Sequence, residues 1–286
     1  MSQLTKSRLS PGVALAILPA IFLLAAFLIP NAYLLFASML RDDGQAGSVI
    51  TTENFEILFR RTIYVRTVLR TFFIGASVAT LVVVLAFPTA YLLSRMQSRW
   101  RGLLMVLALA PLLASVVVRT YGWWVILNRE GTLNSVLQLV GAISQPIDFM
   151  PSSLAIIIGL SHGLLPFGIL TLMTVLNRVS PQLERAAMSL GASRLQTFRA
   201  VVFPLAAPGT AGAFLITFSL AIGAYATPAI LGGPSHETMG TMIYNLMMVT
   251  LDWSVGSALA VVLVASVMLL MGLAMVIGRG QKAGSR

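Results

Sequence analysis

Cysteine is absent from this 286-residue chain, which excludes a disulfide framework, a cysteine nucleophile and zinc or iron–sulfur sites held by thiolates. Lysine is almost as scarce. Lys6 and Lys282 are the only two, and neither follows the glycines of a GxxxxGK loop, so the chain does not hydrolyse ATP by that route. The two histidines, His162 and His236, lack the HExxH spacing and fall short of the three protein ligands that catalytic zinc usually takes. His162 follows Ser161, but neighbours on a helix point about 100° apart, so a histidine hydrogen-bonded between helices is a better reading than a hydrolytic pair. No cofactor is expected. Charge itself is sparse: 10% of residues are charged and 57% hydrophobic, against about 25% charged in soluble domains. The sequence is that of a membrane protein. Its net charge of +10 would suggest nucleic-acid binding in a soluble chain, but the basic residues lie dispersed between long apolar stretches. An orientation signal and contact with anionic membrane lipid explain them better than nucleic acid does.

What the chain has in quantity is apolar runs. A helix needs about 20 mostly apolar residues to cross the hydrocarbon core, and six stretches qualify: Val13 to Phe36, Thr71 to Leu93, Leu103 to Leu127, Leu154 to Leu176, Pro208 to Leu231 and Val255 to Ile277. The third is interrupted by Arg119, and its continuous part, Leu103 to Val118, is short. Backbone groups in lipid pair within their own segment, and long runs without alternation choose helix over barrel. The predicted fold is therefore all-α, a polytopic membrane bundle of six transmembrane helices. The first run is too long for a secretory signal and reads as an uncleaved span. Pro19, Pro30, Pro88, Pro111, Pro166 and Pro228 fall in or beside the spans, where each removes a donor or kinks a helix.

Orientation follows from the basic residues. With the N-terminus inside, twelve of the 19 are cytoplasmic (Lys6, Arg8, Arg95, Arg99, Arg101, Arg178, Arg185, Arg194, Arg199, Arg279, Lys282, Arg286), whereas of the acids Glu184 alone is. Both termini are then predicted to be cytoplasmic. The outer cluster from Arg60 to Arg70 has two readings: an amphipathic helix at the interface, with Phe55, Leu58, Phe59, Thr62 and Ile63 at helical spacing, or arginines snorkelling from the end of the second span.

The long cytoplasmic segment Asn177 to Gly209 carries dense local signals. Ser180 before Pro181 is a helix N-cap, and Glu184 sits in the first turn, where the helix dipole favours negative charge. Leu183, Ala187 and Leu190 share one face, and Gly191 is placed to end the helix in a left-handed conformation. Ser193 and Gln196 have capping-box spacing for a second helix, with Leu195, Phe198 and Val202 as its apolar face and Pro204 as its expected limit. Two short helices joined at a glycine, with apolar faces ringed by Arg185, Arg194 and Arg199, suit insertion into a groove of another protein.

The stretch from Arg185 to Pro204 resembles the EAA loop of ABC importer permeases, whose pattern is Glu-Ala-Ala, three residues, Gly, nine residues, an aliphatic residue, one residue, Leu-Pro. Here those positions hold Arg185, Ala186, Ala187, Gly191, Val201, Phe203 and Pro204. The spacing is kept, but Arg185 replaces the glutamate, with Glu184 one residue earlier, and Phe203 replaces leucine. RTYGWWVILNREGTLN (119–134), LPFGILTL (165–172), PLAAPG (204–209) and YATPAILGG (225–233) are similar to segments of the spermidine/putrescine transport permeases. The resemblance implies a type I ABC importer permease fold. It also implies a role as the transmembrane permease subunit of an ATP-driven importer in the bacterial inner membrane, with a polyamine-like solute. Its partners would be a pair of ABC ATPase subunits, a second permease subunit and a periplasmic solute-binding protein. Glu184, Arg185, Ala186, Ala187, Gly191 and Pro204 would form the ATPase-coupling loop within 180–204. On this reading residues 1–62 are the first span with its outer connection, 63–278 the core permease domain and 279–286 a cytoplasmic tail. The chain is not expected to be an enzyme, since its partner supplies hydrolysis. Rival readings are uptake of another small solute by the same permease type, a secondary transporter, and a structural membrane subunit. The secondary transporter expects ionisable residues in mid-membrane, where the chain offers little beyond His162 and Arg119.

A polyammonium solute should meet carboxylates or aromatic faces near the outer ends of the spans. Tyr121, Trp123, Trp124, Asp148, Tyr225, Glu237 and Asp252 are the candidates there, against the alternative that tryptophan and tyrosine gather at membrane interfaces regardless of function. Ser219, Gly223 and Thr227 recur every four residues and either line a passage or let helices pack closely. Arg119 in or beside a span must face protein or water, and its role is not legible from sequence.

Overall fold

A computed structural model of the chain describes residues 11–42 and 48–283. Lys6, Arg8, Asp43 and Arg286, part of the expected charge asymmetry, lie outside the described residues. The first helix, α1 (Pro11–Ser38), leads to a small antiparallel hairpin, β1 (Leu40–Asp42) with β2 (Ser48–Ile50), in which Leu40 pairs with Ile50. The hairpin is a short departure from the all-helical expectation, and it lies beside the amphipathic helix α2 (Glu53–Arg60). Asn54, almost fully buried, joins them: its Nδ2 donates to the carbonyls of Ser38 at 2.8 Å and Leu40 at 2.9 Å.

The Arg60–Arg70 cluster is divided between two helices. α2 buries Leu58 and exposes Phe59, as an interfacial helix does, and the chain breaks at the extended residue Arg61 before α3 (Thr62–Arg95) begins. At 34 residues α3 is about 51 Å long, more than the hydrocarbon core needs, so Arg66 and Arg70 occupy its overhanging first turns.

α7 (Ser153–Leu176) is the central helix, with 56% of its most apolar window buried inside the protein, against 6% for α1. It packs on α3 and on α10 (Phe203–Ile222) through Val82, Ala86, Ile169, Leu172 and Ala213, all at most 1% exposed. Gly168 makes the α3 contact close: a Cβ there would lie 2.6 Å from Val82 Cγ1. Small residues that let backbones approach are how helices associate where lipid removes the hydrophobic drive. The last helix, α13 (Trp253–Ala283), packs on α1 and α2, and continues as helix into the segment expected as a tail from residue 279.

Five helices are long and apolar enough to cross a membrane, and the remaining expected span is a broken pair of helices. Its halves, α4 (Arg101–Leu113) and α5 (Val116–Leu127), meet at Ala114 and Ser115, both extended in ψ; a turn at residues 128–131 separates α5 from α6 (Thr132–Leu139), and residues 116–139 are bent by 96° from α4. Sequence placed one weak span here. The break follows Pro111 by three residues, and it leaves backbone carbonyls that need other partners. The fifth span also ends sooner than expected: α10 stops at Ile222, and α11 (Ala226–Leu231) is a separate short helix.

Candidate functional site

Two ends of the bundle carry the predicted site residues. At one end, the C-termini of α3 and α7 and the N-terminus of α10 surround the segment Ser180–Pro204. Its local chemistry is as the sequence foretells. Ser180 Oγ accepts from the Gln182 N–H at 3.2 Å and starts α8 (Pro181–Ser189). Gly191 takes φ +92°, the left-handed conformation that glycine adopts without penalty, and turns the chain. Ser193 and Gln196 then form a reciprocal capping box at the head of α9 (Arg194–Thr197).

Pro204 behaves differently from the expectation that it limits the second helix. Residues 198–202 widen into a π-turn, in which the Phe203 N–H returns to the Phe198 carbonyl five residues back, and the helix passes through into α10 with Pro204 in its first turn. A proline has no N–H to give, so its tolerated place is a first turn whose donors need no partner, and the wide turn creates such a start inside a continuous rod. The loop's second helix and the fifth span are therefore one body from Arg194 to Ile222.

The faces of α8 divide sharply. Leu183, Arg185, Ala186, Met188 and Leu190 are exposed, Leu190 at 90%, whereas Ala187 is half-buried. Glu184 points the other way. Arg95 Nε donates to its Oε1 at 2.8 Å, the Tyr91 hydroxyl donates to Oε2 at 2.6 Å, and the Arg95 Nη1 reaches the Leu176 carbonyl at 3.2 Å. Phe198 packs edge-on against both Phe87 and Tyr91, at 5.5 and 5.9 Å between ring centroids. The carboxylate that sequence placed in the helix's first turn thus serves a contact 89 residues away in the chain.

At the opposite end the candidates for a solute path do not form one cluster. Tyr225, exposed at the head of α11, packs on Tyr244 of α12 (Met239–Tyr244) with 4.7 Å between rings. Trp124 is 39% exposed on α5. The Glu237 carboxylate takes a hydrogen bond from Asn245, and its backbone carbonyl accepts from Arg70 at 3.3 Å. Asp252 caps α13, its Oδ1 accepting from the Val255 N–H at 3.1 Å. The four-residue recurrence of Ser219, Gly223 and Thr227 is not one helix face, because α10 ends between the first and second. Ser219 remains half-buried, whereas Thr227 is buried and its hydroxyl lies 3.0 Å from that of Thr120, joining α11 to α5.

Arg119 acquires a structural role in the broken span. Its Nη1 donates at 2.6 Å to the Pro111 carbonyl, the acceptor that a continuous helix would have given to Ser115. Its guanidinium lies over Gly163 of α7, where a Cβ would come within 2.5 Å of Nη2. His162, beside that glycine, accepts at Nδ1 from the Trp123 indole at 3.2 Å, the bond between helices that the sequence favoured over a hydrolytic pair. Among the described residues no group of His, Asp or Glu is placed to hold a metal ion. Sequence reasoning missed Asn134, which is 1% exposed; its Nδ2 donates to the carbonyls of Asn128, Arg129 and Ile147, and its Oδ1 accepts from the Ile147 N–H. Only its position three residues after Gly131, in a segment rich in turn residues, hints at a clamp.

The family model described as "Binding-protein-dependent transport system inner membrane component" matches residues 58–282. The chain is 32% identical over 236 residues to the spermidine/putrescine transport system permease protein PotB of Haemophilus influenzae, covering 82% of each. It is 31% identical to PotB of Escherichia coli over 237 residues, 82% of this chain and 86% of that one. In fold it is similar to a chain of the bacterial alginate ABC transporter solved in complex with an alginate pentasaccharide-bound periplasmic protein, with TM-score 0.74, 18% identity and 92% of each chain covered.

Proposed function

We propose, for a chain that belongs to the family of binding-protein-dependent transport system inner membrane components, that the ABC importer of which it is the multi-pass permease carries a polyamine such as spermidine or putrescine. The observation that carries this is the similarity to two PotB permeases over more than four fifths of the chain, supported by a loop whose caps at Ser180 and Ser193 and left-handed Gly191 match the sequence expectation. The loop end is assigned to the cytoplasm, with both termini, because the described basic residues Arg95, Arg99, Arg101, Arg178, Arg185, Arg194 and Arg199 belong to it.

In this reading an ATPase pair, a second permease subunit and a periplasmic solute-binding protein complete the importer. The exposed side of α8, with Arg185, Ala186 and Leu190, seats in a groove of the ATPase; Ala187 and Gly191 keep the loop compact, and Pro204 marks where it joins the span. Residues 63–278 form the moving core, set off by the chain break at Arg61, and residues 1–62 supply the peripheral α1 and its connection. ATP-driven closure of the ATPases biases a two-state bundle through the docked loop, so that free energy spent outside this chain changes which side of the membrane the path faces. Trp124, Ser219 and Tyr225 are assigned to that path, with the Tyr225–Tyr244 pair offering an aromatic face to an ammonium group at about 0.5–2 kcal/mol and with Glu237 and Asp252 adding negative charge at the same end.

Reconstitution with the neighbouring subunits tests the reading. Ala186→Arg places a long cation on the seating face, so the expected result is loss of ATPase co-purification and of ATP-driven spermidine uptake, with the permease itself still folded. Uptake that persists in vesicles lacking any ATPase subunit would overturn the importer and favour a secondary transporter.

A further inference from the structure

Glu184 shares the first turns of α8 with the seating face, yet it turns away from that face into the protein. Both of its carboxylate oxygens are engaged, by Tyr91 at 2.6 Å and by Arg95 at 2.8 and 2.7 Å, and its side chain is 12% exposed against 18% for Arg95. Charge-assisted bonds in a partly dry site are the strong kind; Arg95 Nε and Nη2 converge on the one oxygen Oε1, the first as a hydrogen bond and the second as a close ion contact. Arg95 is the last residue of α3 and also holds the Leu176 carbonyl at the end of α7, where a cation complements the helix dipole. Both oxygens of Glu184 are thereby turned inward, away from the seating face.

We infer that Glu184, Tyr91 and Arg95 form an intramolecular linkage that makes α8 rigid with the ends of α3 and α7, so that Glu184 is a positioning residue of the coupling loop and not one of its ATPase contacts. The inference rests on the reading of α8 as the ATPase seat. A second fastening lies beside the first, where Phe198 packs on Phe87 and Tyr91. A displacement of α8 is then delivered to three helices together: to α3 and α7 through the carboxylate, and to α10 through the continuous rod. Without the carboxylate link, α8 remains joined to the membrane domain by its two chain ends and by its packing on residues 198–202, which the aromatic contact in turn fastens to α3. The seat would still bind, but its motion would reach α3 with slack.

The test is a set of variants in proteoliposomes holding the whole importer, scored for co-purification of the ATPase, ATP hydrolysis and solute uptake. For Glu184→Gln the expected result is normal assembly and hydrolysis with uptake per ATP reduced about tenfold, a typical coupling free energy. Tyr91→Phe keeps the ring on Phe198 and removes one bond, so it should lower the same ratio less. The paired exchange Glu184→Arg with Arg95→Glu restores the ion pair but leaves the Leu176 carbonyl without its donor, so it should recover part of the uptake that either single change loses. If Glu184→Gln abolishes assembly as Ala186→Arg does, Glu184 touches the ATPase and the inference is wrong while the docking reading stands. Unchanged uptake per ATP in Glu184→Gln and in Tyr91→Phe is equally fatal to it. A fully active, fully assembled Ala186→Arg importer removes the docking reading and this inference with it.

Discussion

Replacing Gly163 by alanine puts the account of the broken span at risk with a single methyl group. The new Cβ would lie 2.5 Å from Nη2, 2.7 Å from Cζ and 3.0 Å from Nε of Arg119, all well inside ordinary contact distance. The guanidinium must therefore shift by the better part of an ångström. Its 2.6 Å bond to the Pro111 carbonyl is the contact least able to follow, because that carbonyl belongs to a different helix segment. A hydrogen bond to a charged group contributes about 1.5–3 kcal/mol, and in lipid the freed carbonyl finds no water to replace it. For a chain of this size each kcal/mol is about 2–4 °C, so the apparent melting temperature in detergent should fall by about 3–12 °C. Gly122→Ala on α5 is the control, since a Cβ there meets nothing within 4 Å and alanine is the better helix former. The cycle closes with Arg119→Ala: in that background Gly163→Ala should cost almost nothing, because the group it collides with is gone. The reasoning is refuted if Gly163→Ala matches the Gly122→Ala control, or if its penalty survives removal of Arg119.

Asn134→Ala should cost about 2 kcal/mol or more, since one buried amide satisfies three carbonyls and one N–H of the segment from Asn128 to Ile147; faster proteolytic nicking within that segment, with the spans intact, is the readout. Thr227→Val keeps the shape of the buried side chain and removes its hydroxyl from Thr120, which retains its own bond to the Val116 carbonyl at 2.7 Å. The expected loss is about 1 kcal/mol in thermal stability, and an unchanged melting temperature would show that the α5–α11 contact rests on packing alone.

What the sequence made legible was chemistry that a residue settles with its near neighbours. The caps at Ser180 and Ser193, the left-handed Gly191 and the apolar runs all follow from a few adjacent side chains and stand in the structure. The direction of Glu184 was not legible, because its partners Tyr91 and Arg95 are 93 and 89 residues away. Asn54 and Asn134 look like loop residues until the carbonyls they gather are brought to them by the fold. The break at Ala114 and Ser115 has neither glycine nor an adjacent charge to announce it, and Arg119, the residue that stabilises it, reads in sequence only as a cost. The small-residue recurrence from Ser219 to Thr227 misled for a related reason: a four-residue period means a common face only while the helix lasts, and this one stops at Ile222.

The wide turn at residues 198–202 has a consequence for how the loop is aimed. A π-turn holds one more residue than the α-turn it replaces, and each residue of a helix advances the azimuth by about 100°. Deleting a single residue there would restore an ordinary turn and leave both flanking helices whole and close to their present register, because the wide turn fits its extra residue into the same revolution. The surplus residue is thus taken up without re-aiming the part of the chain that is gripped relative to the part that moves.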